Sequence, residues 1–110
     1  MLLAETNALE LYRSLIDPLA KLRTTDPKLA EDARRAVRSV VENVGEGAGR
    51  SGRDRPHHFT IAYGSGRELR TQLAMAELDG ALTAGQLEEP RRLLEHELRL
   101  LWGLTGRRHR

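Results

Sequence analysis

Cysteine is absent from the 110 residues, which excludes disulfides, thiolate metal sites and a cysteine nucleophile. Aromatic side chains are scarce, with only Tyr12, Phe59, Tyr63 and Trp102. Burial must therefore come mainly from Leu, Val and Ala, a composition that suits helices better than sheets. No apolar run approaches the roughly 20 residues needed to cross a bilayer. No basic residue precedes the leucines of the opening MLLAETNALEL, and Glu5 stands among them, so a secretory signal is not expected. Without a disulfide, span or signal, the expected compartment is the cytoplasm. The net charge of +2 is too small to point to a nucleic-acid partner by itself. The length suffices for one hydrophobic core but not two, so residues 1–110 are expected to form a single domain.

What is present is helical periodicity. From residue 2 to residue 22, Ala8, Leu9, Leu11, Tyr12, Leu15, Ile16, Leu19 and Leu22 fall on one half of a helical cylinder. Pro18 removes a backbone donor there and predicts a late bend. Asp26 and Pro27 read as a cap followed by a first-turn proline, opening a second helix over 27–46 with Leu29, Ala33, Ala36, Val37, Val40, Val41 and Val44 on one face. The glycines of GEGAG are expected to end it. Asp54 and Pro56 repeat the signal for a third helix over 55–79, in which Phe59, Ala62, Gly66, Leu69, Leu73 and Ala76 recur at steps of three and four. Gly64 and Gly66 lie inside it, each costing roughly 1 kcal/mol of helix propensity, so close approach by a neighbouring helix is expected. Thr83 and Gln86 form a capping box for the fourth helix, over 84–104, in which Leu87, Leu94, Leu98, Leu101 and Trp102 face one way and Pro90 predicts a second bend. Short connections make neighbours antiparallel. The fold class is all-α, an up-down-up-down four-helix bundle with a basic tail over 105–110.

Charge is unevenly placed in such a bundle. The amino terminus, the connection between helices two and three, and the carboxyl terminus all emerge at one end. That end gathers Arg50, Arg53, Arg55, Arg107, Arg108 and Arg110 against Asp54, an excess of about five positive charges. Arginines so placed could contact phosphates, and scarce aromatics make any such contact backbone-directed rather than base-reading. Apolar surface is also in surplus. Helix one is apolar over half its circumference, helix four carries Leu93, Leu100 and Leu104 outside its main stripe, and Ile61, Glu68 and Met75 form a heptad-spaced seam on helix three. These six residues are the candidate oligomer interface, and homo-oligomerisation is the preferred reading.

Catalysis finds little support. Asn43, Glu46, Ser65 and Glu68, with Arg35, border apolar faces and read as a structural hydrogen-bonded set, because no His or Lys accompanies the carboxylates at a useful spacing. GEGAG follows a helix and lacks the strand and the Gly-Lys-Ser/Thr of a phosphate loop. The sole carboxylate-x-x-His is Asp54 to His57, so a di-iron bundle is not expected, and His57 and His58 read as first-turn residues rather than metal ligands. No catalytic residue, cofactor or metal is assigned.

Two ordered motifs carry a family resemblance. LAEDARRAVRSVVENVGEGAGR, from Leu29 to Arg50, supplies Arg34, Arg35, Ala36, Ser39, Asn43, Val44, Glu46, Gly47, Gly49 and Arg50. IAYGSGRELRTQL supplies Ile61, Ala62, Gly64, Ser65, Glu68, Leu69, Thr71, Gln72 and Leu73. Together they resemble the four-helix-bundle proteins encoded in intervening sequences of bacterial large-subunit ribosomal RNA genes. The resemblance implies kinship with the accessory variability determinant of diversity-generating retroelements, and with it a pentameric assembly associated with a reverse transcriptase and nucleic acid. The functional expectation is a non-enzymatic, oligomeric bundle binding RNA or DNA through its arginine-rich pole. The alternative is a protein-protein interaction scaffold whose arginines only solvate that end.

Overall fold

The computed structural model describes residues 1–52 and 54–106, and among them the chain forms four α-helices and no strand. α1 spans Leu3–Thr25, α2 Pro27–Ala48, α3 Asp54–Leu78 and α4 Ala84–Leu104. α1 packs on α2 and α4, and α3 packs on the same two, so the helices stand at the corners of a square with α1 diagonal to α3. Successive helices run antiparallel, giving the expected up-down-up-down four-helix bundle, 44 Å long.

Local chemistry sets the helix ends. Asp26 Oδ1 accepts from the Leu29 backbone N–H at 3.0 Å, and Pro27 follows at the first turn, where its missing donor costs nothing. Thr83 Oγ1 accepts from the Gln86 N–H at 3.1 Å while Gln86 Oε1 accepts from the Thr83 N–H at 2.9 Å, the reciprocal box expected from their spacing. Past α3, Gly80 takes φ 76°, and the N–H groups of Ala81 and Leu82 both return to the Ala76 carbonyl. That tight turn sends the chain back as α4.

One boundary shifts. α2 ends within GEGAG as expected, two residues beyond 46. The helix continues through Gly45 and Gly47 to Ala48, because Gly47 is buried where a Cβ would lie 2.8 Å from Phe59 Cε1. Its role is close packing, and termination falls to Gly49. α1 and α4 each continue as one helix past their proline, as expected, and Pro18 and Pro90 line a common groove between them.

The core divides along the bundle axis. Toward the end where α1 meets α2, Leu11, Leu15, Leu22, Val37, Leu69, Leu73, Leu87 and Leu94 form a leucine-rich cluster. Toward the other end, Ala4, Ala8, Val40, Val44, Phe59, Ala62 and Leu101 form a smaller one around the single phenylalanine. All six residues of the α3 pattern are buried, as are six of the seven apolar positions named on α2. Leu93, expected on spare surface, is only 6% exposed and belongs to the leucine-rich cluster. The reason is geometric. A helix at the corner of a square touches two neighbours, so α4 buries a broader arc than one stripe would give.

Candidate interaction surfaces

The arginine pole was the leading candidate, and its described members are engaged within the chain. Arg50 pairs with Glu46 at 3.1 Å and with Asp54 at 3.3 Å, joining the end of α2 to the start of α3. Arg55 donates to the carbonyls of Gly47 at 3.3 Å and Ala48 at 3.4 Å, and its guanidinium stands 5.3 Å from the Phe59 ring centroid. It adds a donor to the carbonyls at the end of α2, of which Gly47 also accepts from the Arg50 N–H at 3.2 Å, and offsets the negative pole of that helix. Arg53, Arg107, Arg108 and Arg110 lie outside the described residues.

The polar set expected between α2 and α3 exists with altered membership. Ser39 Oγ and Ser65 Oγ are 2.7 Å apart across the two helices, and Ser65 is only 8% exposed. Asn43 Nδ2 donates to the Ser39 carbonyl at 3.0 Å and to its hydroxyl at 3.2 Å, and Asn43 Oδ1 is 3.2 Å from His58 Nδ1. Glu46 turns instead to Arg50, Arg35 pairs with Glu31 at 3.5 Å, and Glu68 is exposed with no partner among the described residues. An amide separates the His58 ring from both hydroxyls, so the ring cannot take a proton from either one directly. This arrangement holds two helices in register. Beside it, Asp32, Arg35, Glu68 and Gln72 border a polar groove in which Gln72 Oε1 is buried without a partner. His57 is exposed, and among the described residues no cluster of three metal-ligating side chains occurs.

Residues 3–103 match the family model described as 23S rRNA-intervening sequence protein. The chain belongs to this family. Among solved structures, a protein of unknown function from the S23 ribosomal protein family of Bacteroides thetaiotaomicron VPI-5482 is similar, with a TM-score of 0.86 at 17% identity over 94% of this chain and 99% of that one. Identity that low speaks for the fold alone. No curated protein matches the chain. The family match takes in both motifs noted in the sequence, and these build α2, α3 and the polar contact between them.

The apolar surface is better defined than the basic one. Leu9 is 48% and Ile16 57% exposed on α1, seven residues apart. On α3, Ile61 is 39% and Met75 47% exposed, with Glu68 midway between them. Leu100 and Leu104 are half-buried against the phenylalanine cluster. The exposed aromatic of α4 is Trp102, whose ring lies 5.5 Å from that of Tyr63, on the α3 side of α4. Around Pro18 and Pro90 the groove between α1 and α4 is bordered by Ser14, Asp17, Lys21, Gln86 and Glu89. Among the described residues no helix is long and apolar enough to cross a membrane.

One feature of the interior escaped the sequence reading. Glu97 is 0% exposed, and its Oε1 accepts from Asn7 Nδ2 at 2.9 Å. Asn7, 7% exposed, also donates to the Leu93 carbonyl at 3.0 Å, so α1 and α4 meet through one amide and one carboxyl at the junction of the two core clusters. Glu97 Oε2 is buried with no partner. Burial raises the Glu97 pKa from its ordinary 4.5 to about 7, against the opposing pull of the Asn7 hydrogen bond. The signal was available, since residue 97 falls three after Leu94 and four before Leu101 on the apolar face.

Proposed function

We propose that this chain is a non-catalytic, self-assembling helical bundle of the cytoplasm that works by presenting surfaces. The observation that carries this reading is the ordering of its exposed apolar side chains. Single exposed aliphatics are ordinary on a protein surface. A seven-residue spacing of Leu9 with Ile16 on one helix, and of Ile61, Glu68 and Met75 on another, is the pattern of a helix-helix seam awaiting a partner. Ser39, Ser65, Asn43 and His58, the polar groups that meet across α2 and α3, are bonded to one another. Light scattering across a concentration series should give a mass that is a multiple of one chain. A single-chain mass throughout would refute self-assembly and favour a scaffold that docks a different protein.

Nucleic-acid binding at the arginine pole is the second reading. Arg50, Arg53, Arg55, Arg107, Arg108 and Arg110 outnumber Glu46 and Asp54, both paired to Arg50, so that end of the sequence keeps a positive excess. Binding of this kind would be phosphate-directed and strongly salt-dependent. Titrating labelled RNA and DNA at two salt concentrations tests it, and binding unaffected by Arg53→Glu combined with Arg107→Glu would reject it. An assembly of five, and an accessory role beside a reverse transcriptase, rest on family resemblance alone. Gene neighbourhood tests the latter through an adjacent reverse-transcriptase gene or an insertion within an rRNA gene.

A further inference from the structure

A cavity of about 270 Å³ opens between α1 and α2. Its floor is apolar. Leu15, Leu19 and Val37 reach it from the leucine-rich cluster, each 5% exposed or less, while the exposed Ile16 and Ala20 flank its mouth. The polar part of the lining is Tyr12, Arg23 and Arg34. Tyr12, Leu15, Leu19 and Arg23 follow one another at steps of three and four, so α1 turns a single stripe toward the cavity, with the hydroxyl at one end and a guanidinium at the other.

The charge on this lining has one sign and is poorly neutralised. Tyr12 and Arg23 have no hydrogen bond or ion pair among the described residues. Arg34 has one ion pair, to Glu31 Oε2 at 4.0 Å, the longest among the described residues, and the same oxygen lies closer to Arg35, at 3.5 Å. Among the described residues no carboxylate lines this cavity, whereas the groove at Pro18 and Pro90 and the polar groove between α2 and α3 each combine acids with a base. Guanidinium groups beside an apolar floor suit a ligand that is apolar along its length and anionic at one end.

We infer that this cavity binds a free aliphatic carboxylic acid of medium chain length, its tail on Leu15, Leu19 and Val37 and its carboxylate facing Arg23 and Arg34. The volume selects a small molecule. It lies near the lower limit of ligand cavities, roughly 300 Å³, and a single turn of helix, about 10 Å wide and 5.4 Å long, already exceeds it. The site goes beyond the self-assembly reading and does not require it, although Ile16 borders both the cavity and the exposed spacing on α1.

The test is isothermal titration calorimetry of the full chain with decanoate below micelle formation, with sedimentation of the same samples to record the mass. Saturable binding of one decanoate per chain is the expected result. Decylammonium, with the same tail and the opposite charge, and acetate, with the same head and no tail, should not saturate. Arg34→Ala should weaken decanoate binding about tenfold, and adding Arg23→Ala should weaken it several-fold further. Ala20→Trp, at an exposed position on the mouth, should close the cavity and abolish binding while circular dichroism keeps the helicity of wild type. Failure of decanoate to saturate the chain at any dilution overturns the site, whatever mass sedimentation gives, and that mass decides self-assembly separately. Decanoate binding that survives Ala20→Trp, or that decylammonium equals, also overturns it, because adsorption to exposed apolar surface would then account for the heat.

Discussion

The contact between α2 and α3 and the contact between α1 and α4 both place polar groups at a helix interface, and they do so with opposite completeness. Across α2 and α3, Ser39 and Ser65 share a 2.7 Å hydrogen bond, Asn43 anchors to Ser39, and His58 meets the remaining face of the amide. Nearby, Gly47 admits the Phe59 ring against the backbone of α2. Across α1 and α4, Asn7 satisfies one carboxyl oxygen of Glu97 and leaves the other buried without a partner. A satisfied buried network specifies a contact at little net expense, whereas a half-satisfied carboxyl stabilises a contact only while it is neutral. The first seam is fixed by geometry. The second depends on a proton.

Four experiments probe this contrast. Phe59→Ala should be the most damaging, at about 3–5 kcal/mol, because it empties the centre of the smaller cluster and removes the ring that packs on Gly47 and under Arg55; chemical denaturation measures it. Glu97→Gln comes next and depends on pH. Since the folded pKa of about 7 lies above the ordinary 4.5, the stability linked to the Glu97 proton is fully present below pH 4.5 and lost as pH rises through about 7. That gap corresponds to on the order of 3 kcal/mol, so the amide variant should match wild type near pH 4 and exceed it by about this amount near pH 8. Parallel stability curves for the two proteins would show that the seam does not depend on the proton.

Asn7→Ala should cost about 1–3 kcal/mol by leaving Glu97 Oε1 unpaired, and it should raise the Glu97 pKa further, because the hydrogen bond it removes is the one that lowers it. The loss of stability with pH would then begin at a similar pH and extend higher. Smallest is the Ser39 and Ser65 pair. A double-mutant cycle with Ser39→Ala and Ser65→Ala should yield a coupling of about 1 kcal/mol, with neither hydroxyl titrating between pH 5 and pH 8.

Much of the fold was legible because its signals are local. Asp26 with Pro27 and Thr83 with Gln86 act within one helical turn, and each makes the contact that its spacing implies. The three-four rhythm of α3 was legible for a similar reason, as residues 59 to 76 keep one face inward throughout. What failed depended on partners distant in sequence. Leu93 was assigned to the surface because one stripe on α4 was taken as sufficient, and only packing on both α1 and α3 explains why it is buried. The partners of Arg50 lie only four residues away on either side, and it is the turn from α2 into α3 that brings Asp54 to Arg50 and the carbonyls ending α2 to Arg55. Asn7 and Glu97 were missed because a polar residue on an apolar arc becomes informative only when its partner, ninety residues away, is known.

Self-assembly is tested most directly by sedimentation of the unmodified chain over a wide range of dilution at neutral pH. A species whose mass is a fixed multiple of one chain, dissociating on dilution, is the predicted result. One chain, unchanged at the highest concentration attainable, would contradict it.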